Sequence, residues 1–163
     1  MKIKKETPHL FWRVSNYYDY DFIEEHKRTI NQKGYVYALK LGRKVDSDFI
    51  KKVIEDDGAI IMKSPIKSGN KYYYCKVVDD KMPENKNDLI IPNYYDELLK
   101  YEGLSLEDFD ESGRWFKIVS IKEIPEDTIY KFNFIKHDNP VTESAILSRT
   151  VHMYIKNPEE IEL

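Results

Sequence analysis

The stretch His9-Leu-Phe-Trp-Arg-Val-Ser-Asn16 reads as a buried strand that ends on a hydroxyl and an amide. Tyr17, Tyr18 and Tyr20 follow at once. A strand end that offers an amide beside aromatic faces suits a flat heterocycle, because the amide reads its hydrogen-bonding edge and the rings hold its faces. Outward from this stretch, strand and helix signals alternate. Asp19 or Asp21 caps a helix to about Asn31, Gly34 ends it, and Tyr35 to Lys40 alternates as a strand. Asp46 or Ser47 caps a second helix to about Asp56, closed by Gly58. Ala59 to Lys63 and Lys71 to Val78 flank the turn-forming segment Ser64-Pro-Ile-Lys-Ser-Gly-Asn70 and predict a hairpin.

Pro92 opens a helix to Tyr101, a short turn follows at Ser105 to Phe109, and Trp115 to Ile124 reads as a long strand before a helical turn at Pro125. Residues 139–154 read as a final helix after Pro140 or as an irregular closing segment. Residues 1–156 read as one domain, and the acidic residues 157–163 as the start of a linker. Interleaved short strands and helices predict an α+β fold, a curved mixed sheet with helices outside it, rather than a doubly wound parallel sheet. The hairpin requires at least one antiparallel pair.

The 163 residues suffice for one domain with a real core. With 41% hydrophobic and 34% charged residues and a net charge of −3, the composition is that of a soluble globular protein. No run approaches the roughly 18 apolar residues of a membrane span, and Met1-Lys-Ile-Lys-Lys-Glu6 lacks the apolar centre of a signal peptide. A cytoplasmic protein without membrane contact is expected. Many Lys and Glu with a single glutamine, Gln32, is the bias of thermophile proteins and equally that of an AT-rich genome. A pI near 5.9 argues against non-specific coating of nucleic acid. Nucleic-acid binding would need a local basic face and a pocket. Such a face is offered by Lys63, Lys67, Lys71 and Lys76 around the hairpin, with Arg43 and Lys44 in the preceding loop; an ordinary solvated surface would look the same.

Signals for catalysis are weak. The single cysteine, Cys75, excludes an internal disulfide and a cysteine-based zinc site, and it sits mid-strand where a small buried residue is expected. His9, His26, His137 and His152 lack metal-ligand spacing. Asp79-Asp80 and Asp108, Asp110 and Glu111 offer carboxylates for a divalent ion but equally form polar loops. No glycine-rich phosphate loop is present. Base recognition is better supported. Candidate rings are Trp12, Tyr17, Tyr18, Tyr35, Tyr37, Tyr94, Tyr95, Phe109 and Trp115, each of which a core would also use; Trp12, mid-strand, reads first as core.

In order and spacing, these motifs resemble the YTH and EVE branch of the PUA-like superfamily over about residues 9–150. The resemblance rests on Leu10-Phe-Trp-Arg-Val-Ser15-Asn16, Lys33-Gly-Tyr-Val-Tyr37, Gly58-Ala-Ile-Ile-Met-Lys-Ser64 with Asn70 to Val78, Gly113-Arg-Trp-Phe-Lys-Ile-Val-Ser-Ile-Lys-Glu-Ile-Pro125 and Asn139-Pro-Val141. It implies a PUA-like curved sheet or pseudo-barrel flanked by helices, no cofactor and no catalytic residue. By position, Asn16 would read a base edge, supported by Ser15. Tyr37 would form one cage wall, with further walls among Tyr94, Tyr95, Phe109 and Trp115, and Trp12 and Tyr17 stand beside the site.

Arg43, Lys44, Lys63, Lys67, Lys71 and Arg149 would face phosphates. Tyr37 and Ala38 stand where the family has Trp and Ser, and Thr142-Glu-Ser-Ala145 replaces a basic position for which Arg149 is the nearest substitute. These departures point away from an RNA reader; similar domains stand ahead of an AAA+ motor in archaeal McrB-type restriction proteins, a context that the thermophile-like composition and the linker-like tail suit. The resulting expectation is a non-catalytic reader of a methylated base flipped out of double-stranded DNA, N6-methyladenine first and 5-methylcytosine second. Its alternatives are a YTH-like reader of methylated RNA, a PUA-like nucleic-acid-processing enzyme, and a protein-interaction domain.

Overall fold

The structure, a computed structural model, describes residues 1–148 and 151–163. In chain order its strands and helices are β1 (Lys2–Ile3), β2 (Thr7–Arg13), α1 (Phe22–Lys33), β3 (Val36–Leu39), α2 (Ser47–Glu55), β4 (Ala59–Lys63), β5 (Tyr72–Asp79), α3 (Tyr94–Glu102), β6 (Trp115–Ile124), β7 (Asn133–Phe134), α4 (Glu143–Ile146), β8 (His152–Asn157) and β9 (Ile161–Glu162). Seven strands form one sheet in the order β3-β6-β5-β4-β2-β8-β7. Among the described residues only β2 and β4 pair in parallel, with Leu10 opposite Ile60 and Arg13 opposite Lys63. A parallel pair needs a crossover, and α1, β3 and α2 supply it. The fold is mixed α+β, as the interleaved signals predict.

The helix ends follow from local chemistry. The Asp21 side chain accepts from the Glu24 backbone N–H at 3.0 Å, and Gly34 closes α1 at φ +90. Asp46 does the same for α2, accepting from Phe49 N–H at 2.9 Å. Gly58 then brings the chain under β2: a Cβ there would fall 1.9 Å from the Pro8 carbonyl oxygen.

Both faces of the sheet are covered, so β2 reads as a near-continuous apolar run. Leu10, Trp12 and Val14 join Ile60, Met62, Cys75, Phe116 and Ile118 on one face, against Phe22 and Ile23 of α1 and Ile50 and Val53 of α2. The opposite face divides in two. Phe11, Ile61, Tyr74 and Ile155 pack with Ile129, Phe132 and Ile146, whereas Tyr37, Leu39 and Trp115 pack against Tyr94, Tyr95 and Leu99 of α3. Register shifts in β5 around Val77 mark where its pairing with β6 becomes irregular.

Two expectations need correction. The closing segment 139–154 is neither a helix nor irregular throughout: α4 is a single turn, and β8 begins at His152 and pairs with β2 along its length. The tail 157–163 does not leave the domain as a linker. Asn157 is fully buried, its amide donating to Lys4 O at 2.7 Å and Glu159 O at 2.9 Å, and β9 pairs with β1 while Ile161 packs in the core.

Candidate functional site: two cavities at the end of strand β2

β2 leaves the ladder at Arg13, and Val14 N–H still donates to Lys63 O at 3.1 Å. Ser15 is then exposed, and the N–H groups of Ser15 and Asn16 donate to no backbone carbonyl of the described residues. Asn16 ties three segments. Its Oδ1 accepts from Phe22 N–H at 2.9 Å, and its Nδ2 donates to Ser68 Oγ at 2.8 Å. The Ser68 hydroxyl in turn donates to the Asp21 carboxylate. The amide thus holds the α1 start and the hairpin turn against the strand end, with one N–H and one lone pair to spare. The next residues form a tight turn closed by Tyr17 N–H to Tyr20 O at 3.1 Å and Tyr20 N–H to Tyr17 O at 2.9 Å. Tyr18 sits in it at φ +48, a region that non-glycine residues seldom adopt.

Two cavities meet at this strand end and share the walls Arg13, Ser15, Asn16 and Val151. The smaller, about 260 Å³, is an aromatic and apolar slot between Trp12, Tyr17, Phe22, Tyr94, Tyr95 and Leu98. The larger, about 770 Å³, is an open trough lined by Ser64, Ile66, Tyr18 and the cations Arg13, Lys63 and Lys67. Among the described residues none of these three cations has an ion-pair partner. Arg13 donates to the Ser148 carbonyl, and Lys63 reaches the Ser64 carbonyl only at 3.4 Å. Burial, then the charge of Arg13, lowers the Lys63 pKa. Uncompensated cations in a concave surface favour an anion.

A relay fixes the back of the slot. Leu39 N–H donates to Tyr95 Oη at 3.1 Å, and Tyr95 O–H donates to His26 Nε2 at 2.6 Å. His26 Nδ1 lies 2.6 Å from the Phe22 carbonyl, which can only accept, so Nδ1 carries a proton, and burial keeps the ring neutral. Burial drives the His26 pKa down to about 4 and raises the Tyr95 phenol well above its usual range.

Of the residues singled out in the sequence, Trp12, Ser15, Asn16, Tyr17, Tyr94 and Tyr95 converge on the slot. Tyr37, Phe109 and Trp115 do not. Tyr37 and Trp115 are 2% and 0% exposed between β3, β6 and α3, and Phe109 is half-buried under Arg114 at 5.9 Å. Because successive strand residues face opposite sides, Tyr37 and Leu39 turn together toward α3; Leu39 reaches the slot farther along the strand, and Tyr37 lines neither cavity.

Lys63 and Lys67 line the trough, whereas Arg43 and Lys44 line neither cavity. Lys44 pairs with Glu111 at 3.4 Å, and Lys71 pairs with Glu123 at 3.5 Å beside a separate polar cleft. Arg149 lies outside the described residues. Sequence reasoning did not single out Arg13, Leu39, Leu41 or Leu98 as site residues. Only the spacing of Leu98, one turn beyond Tyr94 on α3, signals a shared face.

The residues considered for catalysis are placed otherwise. Cys75 is fully buried, and burial pushes its thiol up. Asp80 is buried and accepts from the Ser112 hydroxyl. Among the described residues no group of three His, Cys, Asp or Glu side chains is placed to hold a metal ion, and no helix is long and apolar enough to cross a membrane. No family model, curated protein or solved structure matches the chain.

Proposed function

We propose that this chain reads a methylated base flipped out of double-stranded DNA, with N6-methyladenine preferred over 5-methylcytosine. The observation that carries the reading is the shared wall at Ser15 and Asn16, which stands between a ring-lined slot and a basic trough. A flipped nucleotide makes both demands at once, an apolar enclosure for the base and cations for its phosphates. The slot, at about 260 Å³, lies just below the roughly 300–1,000 Å³ usual for ligand pockets, a size suited to one heterocycle.

Stacking on rings such as Tyr17 and Trp12, roughly 1–3 kcal/mol for each stacked base, offsets the few kcal/mol needed to extrude the base. The remaining Asn16 N–H and the backbone N–H groups of Ser15 and Asn16 supply donors for its edge. Arg13, Lys63 and Lys67 take the adjacent phosphates. On this reading the fold is a PUA-like scaffold, the domain binds rather than catalyses, and it acts in the cytoplasm as the specificity module of a modification-dependent restriction system.

Burying one methyl carbon is worth about 0.8 kcal/mol, so the slot should favour a methylated duplex about fourfold through burial alone. The test is a titration at physiological salt against duplexes carrying N6-methyladenine, 5-methylcytosine or no modification. Tighter binding to the N6-methyladenine duplex is expected. Equal binding to all three discards the reading, and stronger competition by methylated RNA of the same sequence moves the site to RNA.

A further inference from the structure

Beyond the slot, the same turn builds a second surface. Tyr18 and Tyr101 are 71% and 67% exposed, and their rings meet edge to face at 6.0 Å. Tyr17 joins both, at 4.8 Å from Tyr18 and 6.3 Å from Tyr101, and Leu104 extends the apolar area at 39% exposure. Two large rings held outward on a tight turn and on the last turn of a helix do not serve the core. Their surroundings are acidic: α3 carries Asp96, Glu97 and Glu102 against one Lys100. Glu97 lies against the Tyr20 hydroxyl and raises that phenol, and the Tyr18 phenol is raised first by its hydrogen bond with Tyr101 and least by the charge of Glu102. Among the described residues neither Glu97 nor Glu102 has an ion-pair partner.

We infer that the surface formed by Tyr18, Tyr101, Glu97 and Glu102 docks a protein segment that presents arginine side chains. A guanidinium is planar and weakly hydrated; it stacks on a tyrosine face while its N–H fork meets a carboxylate. A lysine ammonium offers neither planarity nor a fork. A nucleic-acid strand would find the rings but would bring its phosphates against two uncompensated carboxylates. The charge of the surface therefore selects a cationic partner; Tyr18 also borders the trough, whereas Tyr101, Glu97 and Glu102 line neither cavity.

The test uses a fluorescent oligo-arginine peptide, with oligo-lysine and unmodified single-stranded DNA as comparison probes, read by anisotropy at moderate salt. The expected result is tighter binding of oligo-arginine than of oligo-lysine. Tyr101→Ala, on an exposed side chain outside both cavities, should weaken oligo-arginine about tenfold, as should Glu97→Gln with Glu102→Gln, with the thermal midpoint unchanged. Affinity for a methylated duplex should stay as in the parent, which separates this surface from the slot. No oligo-arginine binding overturns the inference, as does binding that Tyr101→Ala leaves untouched. A Tyr101→Ala variant that instead loses single-stranded DNA binding makes the surface a base-stacking platform and also overturns it.

Discussion

The slot and the trough share one wall, yet they are built in opposite ways. The slot is walled by buried rings whose positions are fixed from behind, Tyr95 by Leu39 and His26, and Trp12 edge-on to Phe22 at 5.4 Å and Phe116 at 5.7 Å. The trough is an open surface whose rim includes Leu147 and Val151 at 57% and 45% exposure, with cations that pair with no carboxylate among the described residues. Packed aromatic walls discriminate by shape, because a misfit cannot be accommodated without disturbing packed neighbours. An open basic surface attracts any phosphate backbone and discriminates little. On the proposed reading, specificity and affinity fall on different sides of Asn16.

Acid should strike the slot's support hardest. His26 beneath it, and His9 on the other face of β2, are buried and neutral, each with its pKa lowered from 6.5 to about 4. His9 accepts from Ala59 N–H at 3.0 Å and contacts Asn157 Oδ1 at 2.9 Å. The unfolded chain therefore binds protons at these sites at higher pH than the folded one. Their contribution is whole above about pH 6.5 and is lost as pH falls toward 4. A difference of 6.5 − 4 is worth about 3 kcal/mol per histidine. Urea unfolding at pH 7 and pH 4 should show a loss approaching the sum of the two. A flat profile would mean that the relay does not hold the fold.

Asn16→Ala tests the wall itself. It removes the acceptor of Phe22 N–H and the donor to Ser68, a cost of about 1–3 kcal/mol in unfolding free energy. It should also level the affinities for methylated and unmethylated duplexes while the variant remains folded. Preserved discrimination in a folded variant would remove Asn16 from recognition. Leu98→Trp probes the slot alone. Leu98 is half-buried at the slot, so a larger ring can occupy the cavity without breaking the relay. The expected outcome is loss of the roughly fourfold methyl preference, with affinity for the unmodified duplex within about twofold of the parent. Equal weakening of both duplexes would show that the two cavities are not separable.

The sequence makes legible what is local. Asp21, Gly34 and Asp46 announce α1 and α2 through capping and a left-handed end, and the hairpin of β4 and β5 follows from its turn residues. β8 is hidden because two of its inward residues are His152 and Asn157, polar side chains that carry no apolar periodicity. Asn157 is satisfied in part from the far end of the chain, where His9 meets its amide oxygen and Lys4 O accepts from its amide nitrogen.

The site is half legible for the same reason. Ser15, Asn16 and Tyr17 follow β2 directly, so their placement is local. Which aromatic enters the slot depends on the layer a doubly covered strand faces, and Tyr37 and Trp115 both face α3. Asn16 shows a further limit: its residue type suggests a free reading group, whereas packing makes it first a brace.

Lys67 gives the finest separation of the two cavities. It is exposed and lines the trough, so Lys67→Gln should leave the fold and the methyl preference intact. Taking one cation away from a phosphate should flatten the slope of log K against log salt by about 0.9, uniformly for modified and unmodified duplexes. Lys71 serves as the contrast. It lies on the same hairpin but lines neither cavity, and its amine pairs with Glu123 at 3.5 Å, so Lys71→Gln should leave the slope unchanged. Equal slope changes in the two variants would mean that phosphates track along the whole hairpin. A change confined to Lys67 places the backbone path in the trough, directly beside the wall that Asn16 braces.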